Sequence, residues 1–275
     1  MMIYDHMSVI GLGTIGSKLI VYLLVKGVSI TAYTRSDVKS KHAYIYSILT
    51  KKYPENADNL IGKLLITNDI NTLKDINIIF DATYEDYYVK EKLYGLLKEI
   101  LDKDSIIATT TSSLDLNKLE NFCNPLTLIG FHVFNPPDKM RLLEINLPAK
   151  PTIDIDVFVQ NIQQLMNDKE FVFIPRIQGY ICNRLLFIYI NAAFNYHQST
   201  GISISDIDKA MELGTNVPMG PFRLSDYIGN DVTLSILEQF HKELGDETYK
   251  PADLIVKMVN EGSLGRKAGR GFYAY

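Results

Sequence analysis

The sequence predicts an α/β fold, a doubly wound and mostly parallel sheet followed by an all-helical domain. Three observations predict it. Short apolar runs alternate with helix-period segments as far as Pro175, a glycine-rich turn joins the first run to the first helical segment, and beyond Pro175 helical spacing takes over.

The elements follow in order. "MSVIG" reads as a strand, "LGTIG" as a turn, "SKLIVYLLVKG" as a helix ending at Gly27, and "VSITAY" as a second strand. Residues Met1 to His6 fit no element and read as a leader ahead of Met7. After a charged stretch, "KLLIT" and "INIIFDAT" are strands. "DYYVKEKLYGLLKEIL" has helical spacing, with Val89, Leu93, Leu96, Leu97 and Ile100 on its apolar face. "SIIATTT", "LTLIGFHVF" and "RLLEINL" are three more strands, "IDVFVQNIQQLM" a helix and "FVFIP" a closing strand. Then "YICNRLLFIYINAAFNYHQ", "SISDIDKAMELG" (opened by a cap serine and stopped at Gly214), "RLSDYIGNDVTLSILEQFHKELG" and "PADLIVKMVNEG" read as helices. Two domains are predicted, residues 1–175 for a dinucleotide and residues 176–275 as a helical substrate and dimerisation domain.

Composition narrows the function. A chain of 275 residues with formal net charge −4 gives no reason to expect nucleic acid or an anionic membrane as partner. The apolar stretch Leu185 to Ile190 is too short to span a bilayer, and no signal peptide is visible, so a soluble cytoplasmic protein is the expectation. Its two cysteines, Cys123 and Cys182, read as thiols rather than a disulfide.

"GLGTIG" places Gly11, Gly13 and Gly16 at Gly-x-Gly-x-x-Gly spacing, between a strand and a helix, the setting of a Rossmann-type dinucleotide site. One glycine makes the tight turn, one lets a pyrophosphate approach, and one lets helix pack on strand; the amides of Thr14, Ile15 and Gly16 would hold the phosphates. The second strand ends in Thr34, Arg35 and Ser36, where an acidic residue for the adenosine ribose of NAD is usual. Guanidinium and hydroxyls suit a 2′-phosphate and favour NADP; a slip putting Asp37 on the ribose would favour NAD instead.

His132 ends one strand and Glu144 lies on the next, on the face opposite Leu143, Ile145 and Leu147. "NPP" forces a turn that can bring the two together. Such a histidine can take a proton from an alcohol as hydride leaves the carbon, while the carboxylate fixes its tautomer. The bland alternative is a core histidine satisfied for packing reasons.

"GFHVFNPPDKMRLLEI" resembles the active-site segment of the 3-hydroxyacyl-CoA dehydrogenase family, and "TTTSSL", "GYICNRLL", "NVPMGPFRLSDYIGND" and "GRKAGRGFYAY" resemble further motifs of that family in the same order. The resemblance implies an NAD(P)-dependent enzyme of fatty-acid metabolism that moves a hydride between the cofactor and C3 of a 3-hydroxyacyl-CoA/3-ketoacyl-CoA pair, with an acyl-CoA partner, a homodimer and no metal. It implies His132 as general base, Glu144 as its orienting partner, Ser112 near the substrate oxygens and the nicotinamide, and Asn183 hydrogen-bonding the substrate; Glu85, retained in "DATYED", is carried over as a cofactor contact. The residues agree about Asn183, because Ile181, Leu185 and Ile188 form an apolar face that leaves it directed elsewhere. Asp81 stands where the family has glutamate, and Thr34-Arg35 where it has an acid. Lys39, Lys41, Lys139 and Arg141 are candidates for the CoA phosphates. The rival readings are a same-scaffold dehydrogenase acting on an acyl-carrier-protein thioester or free hydroxy acid, and a non-catalytic nucleotide-binding protein.

Overall fold

The computed structural model describes residues 4–148 and 151–275. The chain divides into two compact units, Met1–Tyr180 and Ile181–Tyr275. Residues 176–178, ahead of the division, are tied to the first unit. Arg176 donates to Glu120 and to the Leu128 carbonyl at 2.9 Å each, Asn146 donates to the Ile177 carbonyl at 2.8 Å, and Gln178 donates to the Ser113 carbonyl at 3.0 Å.

The first unit runs β1 (His6–Ile10), α1 (Thr14–Val25), β2 (Ser29–Tyr33), α2 (Val38–Lys52), α3 (Ala57–Ile61), β3 (Leu64–Thr67), β4 (Ile78–Asp81), α4 (Tyr87–Ile100), β5 (Ile106–Thr109), α5 (Leu116–Cys123), β6 (Thr127–Val133), β7 (Leu142–Asn146), α6 (Ile155–Leu165) and β8 (Glu170–Ile174). The eight strands form one sheet in the order β3-β2-β1-β4-β5-β6-β7-β8. Pairing is parallel from β3 through β6, antiparallel between β6 and β7, and parallel between β7 and β8. Helices cover both faces. Leu19, Leu23, Ile45, Phe158 and Ile162 pack with Val9, Ile30 and Phe80, while Leu93, Leu97, Leu116 and Leu119 pack with Ile10, Ile79 and Ile107. Strand order reverses between β1 and β4, the switch point where ligands bind in such sheets.

The structure departs from the sequence reading in places. The charged stretch after β2 is the helices α2 and α3; α2 buries only Ile45 and Leu49, too few apolar positions for a visible period. Residues 1–3 of the expected leader lie outside the described residues, and His6 already belongs to β1. On α4, Leu96 is exposed and the buried positions are Lys90, Leu93, Tyr94 and Leu97, because Lys90 and Tyr94 both reach Asp81 at 2.6 Å.

That contact is a buried ion pair. Asp81 also accepts from the Thr83 amide at 2.9 Å and the Thr109 hydroxyl at 3.2 Å. Burial by itself raises the carboxyl's pKa, but the Lys90 charge and the hydrogen bonds from Lys90, Thr83 and Tyr94 outweigh it and hold it below the ordinary value.

The second unit is α7 (Ile181–Thr200), α8 (Ile204–Thr215), α9 (Pro221–Ile228), α10 (Asn230–Leu244) and α11 (Asp253–Asn260) around Phe187, Phe194, Phe222, Leu237 and Phe240. The Ser203 hydroxyl caps α8 by accepting from the Asp206 amide, but α8 passes Gly214 and stops at left-handed Asn216. The segment read as one helix over 223–245 is split at Gly229, whose φ of 108° no helix accommodates. On α7 the expected face is reversed: Ile181 and Leu185 are exposed, and Asn183, Phe187, Ile190, Asn191 and Phe194 are buried. Asn191 sets that rotation by bonding the carbonyls of Thr248 and Lys250 and the amide of Ala252. No helix of the described residues is long and apolar enough to cross a membrane.

Lys90→Met leaves the Asp81 carboxylate in a dry interior without its charge partner, and a loss of about 3–5 kcal/mol is expected from urea unfolding at neutral pH. Because the folded-state pKa of Asp81 lies below its unfolded value, the pair's contribution is present above the ordinary carboxylate range and lost as pH falls towards the folded value. The deficit of the variant is therefore expected to narrow on acidification, and a pH-independent deficit would contradict the pairing.

Candidate active site

The glycine loop lies between β1 and α1 at the switch point. Gly11 has φ of 89° and packs against β4: a Cβ there would stand 2.6 Å from the Ala82 carbonyl oxygen. At Gly16 a Cβ would stand 1.9 Å from the Gly11 carbonyl oxygen, so that position admits hydrogen alone. Gly13 faces open space, with nothing within 4 Å of a Cβ. It precedes α1 without any side-chain cap, so the amides of Thr14, Ile15 and Gly16 have no intrahelical acceptor. An uncapped helix start with an open approach and partial positive charge fits a pyrophosphate.

At the end of β2, Thr34 is buried and its hydroxyl accepts from the Ser36 amide at 3.1 Å. Asn68 donates to the carbonyls of Thr34 and Ser36, which fixes this turn. Arg35 and Ser36 are exposed. Asp37 caps α2, its carboxylate accepting from the Ser40 amide at 2.7 Å, a use the sequence reading missed although an acid before a helix is a legible signal.

Glu85 and Ser112 come together at the ends of β4 and β5. One carboxylate oxygen of Glu85 accepts from the Thr111 hydroxyl at 2.7 Å, the Ser112 amide at 2.9 Å and hydroxyl at 3.4 Å, and the Ser113 amide and hydroxyl at 2.9 Å each. Glu85 thus braces the turn that presents Ser112.

His132 and Glu144 are directly opposite each other in the antiparallel ladder of β6 and β7. Their side chains meet at 2.7 Å, His132 Nδ1 to Glu144 Oε2, and both are buried. Phe134 and Tyr180 lie against the imidazole, each at 4.5 Å between ring centroids. With Nδ1–H donating to the carboxylate, the neutral ring carries its lone pair on Nε2, the form a general base requires. The loop between the two strands is pinned by side chains absent from the sequence reading. Lys18 donates to Asn135 at 2.9 Å, Lys52 pairs with Asp138 at 2.7 Å, and Lys169 donates to the carbonyls of Pro137 and Met140.

Asn183 is buried in the first turn of α7, in the helical unit. Of the basic candidates, Arg141 is ion-paired with Glu170 at 2.6 Å. Among the described residues no group of three or more His, Cys, Asp or Glu could hold a metal ion.

A phosphate-ready helix start and a carboxylate-backed imidazole on the carboxyl side of one doubly wound sheet define a dinucleotide-dependent oxidoreductase. The chain belongs to the 3-hydroxyacyl-CoA dehydrogenase family: residues 6–168 match the family's NAD binding domain and residues 179–275 its C-terminal domain. It is 34% identical over 281 residues to the 3-hydroxybutyryl-CoA dehydrogenase of Clostridioides difficile, covering 98% of this chain and 99% of that one. With the human mitochondrial hydroxyacyl-coenzyme A dehydrogenase it shares 30% identity, over 99% of this chain and 92% of the other. The crystal structure of (S)-3-hydroxybutyryl-CoA dehydrogenase from Ralstonia eutropha is similar with a TM-score of 0.91 and 30% identity, covering 99% of both chains.

The two glycines separate binding from folding. Gly13→Ala is expected to keep the wild-type melting temperature and to weaken binding of the reduced nicotinamide dinucleotide about tenfold or more, read by nucleotide fluorescence titration. Gly16→Ala is expected to lower the melting temperature as well, since its Cβ meets backbone. Unchanged affinity in Gly13→Ala would remove the loop from the cofactor site.

Proposed function

We propose that this protein interconverts a 3-hydroxyacyl-CoA and the corresponding 3-ketoacyl-CoA with a nicotinamide dinucleotide, and that short acyl chains are its substrates. The observation that carries the reading is the 2.7 Å contact of His132 Nδ1 with Glu144, which supports Nε2 as the nitrogen that exchanges the proton. The names of the relatives from Clostridioides difficile and Ralstonia eutropha support the acyl-CoA class and the short chain.

The dinucleotide, when bound, supplies the hydride acceptor or donor. His132 takes the proton from the C3 hydroxyl at Nε2 during oxidation and returns it during reduction. Glu144 holds the tautomer and stabilises the imidazolium that forms. Ser112 sits in a turn fixed by Glu85 and orients the substrate oxygen; Asn183 adds a hydrogen bond from α7. Fixing the reacting groups in this way makes the step effectively unimolecular. The residues 1–175 region holds the dinucleotide and the helical region serves substrate and dimer formation, a role that the exposed Ile181 and Leu185 of α7 support.

NADP is the cofactor of this reading. Thr34 stands at the end of β2 in place of an acid, Arg35 and Ser36 are exposed beside it, and the Asp37 carboxylate is engaged at the start of α2. A carboxylate there would repel a 2′-phosphate, whereas a guanidinium attracts it. The matched family domain is described as NAD binding, which favours NAD as the alternative.

The test is reduction of acetoacetyl-CoA with NADPH and with NADH in parallel. Turnover with a lower Km for NADPH is expected. His132→Gln is expected to lower kcat about 10²- to 10⁴-fold while NADPH affinity stays near wild type. Wild-type kcat in that variant would end the assignment, and a strong preference for NADH would end the Arg35 argument alone.

A further inference from the structure

Tyr180 stands outside the chemistry above, yet it occupies a costly place. Its side chain is 1% exposed and stacks on His132 with ring planes 23° apart. Its backbone is left-handed, φ 51°, directly after Gly179 at φ 83°. A bulky residue holds that conformation only where its surroundings force it. The hydroxyl is buried with no hydrogen-bond partner, and burial drives its pKa well above the ordinary value. A neutral, unpaired hydroxyl contributes a desolvation penalty and no bond, so what the site gains from Tyr180 is the ring.

The neighbours hold this arrangement from both ends. Asn146 and Gln178 anchor residues 177 and 178 to the sheet and the Ser113 turn. On β6, Gly130 makes room for the phenol: a Cβ there would stand 2.4 Å from the Tyr180 hydroxyl oxygen. Gly130 lies two positions before His132 on the same strand, on the same side. One short segment therefore supplies both the imidazole and the seat for the ring that covers it.

The geometry points to Tyr180 as a positioning residue: its ring, seated over Gly130, fixes the plane of the His132 imidazole so that Nδ1 stays on Glu144 and Nε2 keeps its aim. This rests on the reading of His132 as the proton acceptor, but its test does not require turnover. The Nδ1 proton shared with Glu144 gives a far-downfield proton resonance, assigned by its disappearance in His132→Gln. Tyr180→Phe keeps the ring, whereas Tyr180→Met and Tyr180→Leu keep apolar volume without it; Met is the probe if Leu does not fold.

Tyr180→Phe is expected to retain the resonance, the melting temperature and kcat. In Tyr180→Met the resonance is expected to broaden or vanish with NADPH affinity unchanged, and kcat on acetoacetyl-CoA to fall about ten- to a hundredfold without a matching change in KM. A sharp wild-type resonance in Tyr180→Met, or its loss in Tyr180→Phe, would overturn the inference. An inactive wild type with the expected resonance pattern would overturn the activity reading and leave this one standing.

Discussion

The register of β6 against β7 is the constraint on which the site depends. In a parallel sheet, neighbouring strands are joined by long crossovers, and facing residues come from distant segments. Here the order breaks once: β7 turns back on β6 and sets Glu144 directly opposite His132. A slip of one residue would put Leu143 or Ile145 there and turn the carboxylate to the other face. Buried carboxylate and imidazole are costly singly and tolerable together, so the pair reinforces the register that forms it. The loop between them is held by Lys18, Lys52 and Lys169, all from outside the hairpin.

Around that pair, the carboxyl edge of the sheet collects short segments each fixed by its own bonds. Glu85 gathers donors from Thr111, Ser112 and Ser113 in the turn after β5, and Asn68 fixes the turn after β2. Asp81 draws Lys90 and Tyr94 onto the sheet and so sets the rotation of α4. The glycine loop is different in kind. There the structure withholds side chains, with no space at Gly16 and open space at Gly13. Rigid positioning of polar groups and a vacant approach for phosphate are the two requirements of a dinucleotide-dependent proton and hydride exchange.

Much of this was legible in the sequence for identifiable reasons. Strands buried on both faces read as short apolar runs, and the glycine spacing sat in its proper context between β1 and α1. His132 and Glu144 were legible because two prolines force a turn between them. What escaped was set by tertiary contact. The few buried residues of α2 left no period to see. The outward Leu96 and Leu185 follow from Lys90 reaching Asp81 and from Asn191 bonding the loop near Thr248, and no local pattern records either contact. The ring of Tyr180 over the imidazole needs a left-handed backbone that an aromatic residue gives no sign of adopting.

The proposed function returns to one proton's route between an alcohol and a ring nitrogen. The most direct measurement is a crystal structure of the protein with an oxidised nicotinamide dinucleotide and acetoacetyl-CoA both bound, a pair that cannot react. His132 Nε2 is expected within hydrogen-bond reach of the C3 oxygen, about 2.6–3.2 Å, with Nδ1 still on Glu144. An imidazole turned away from that oxygen, or a Glu144 detached from it in the ternary complex, would contradict the account.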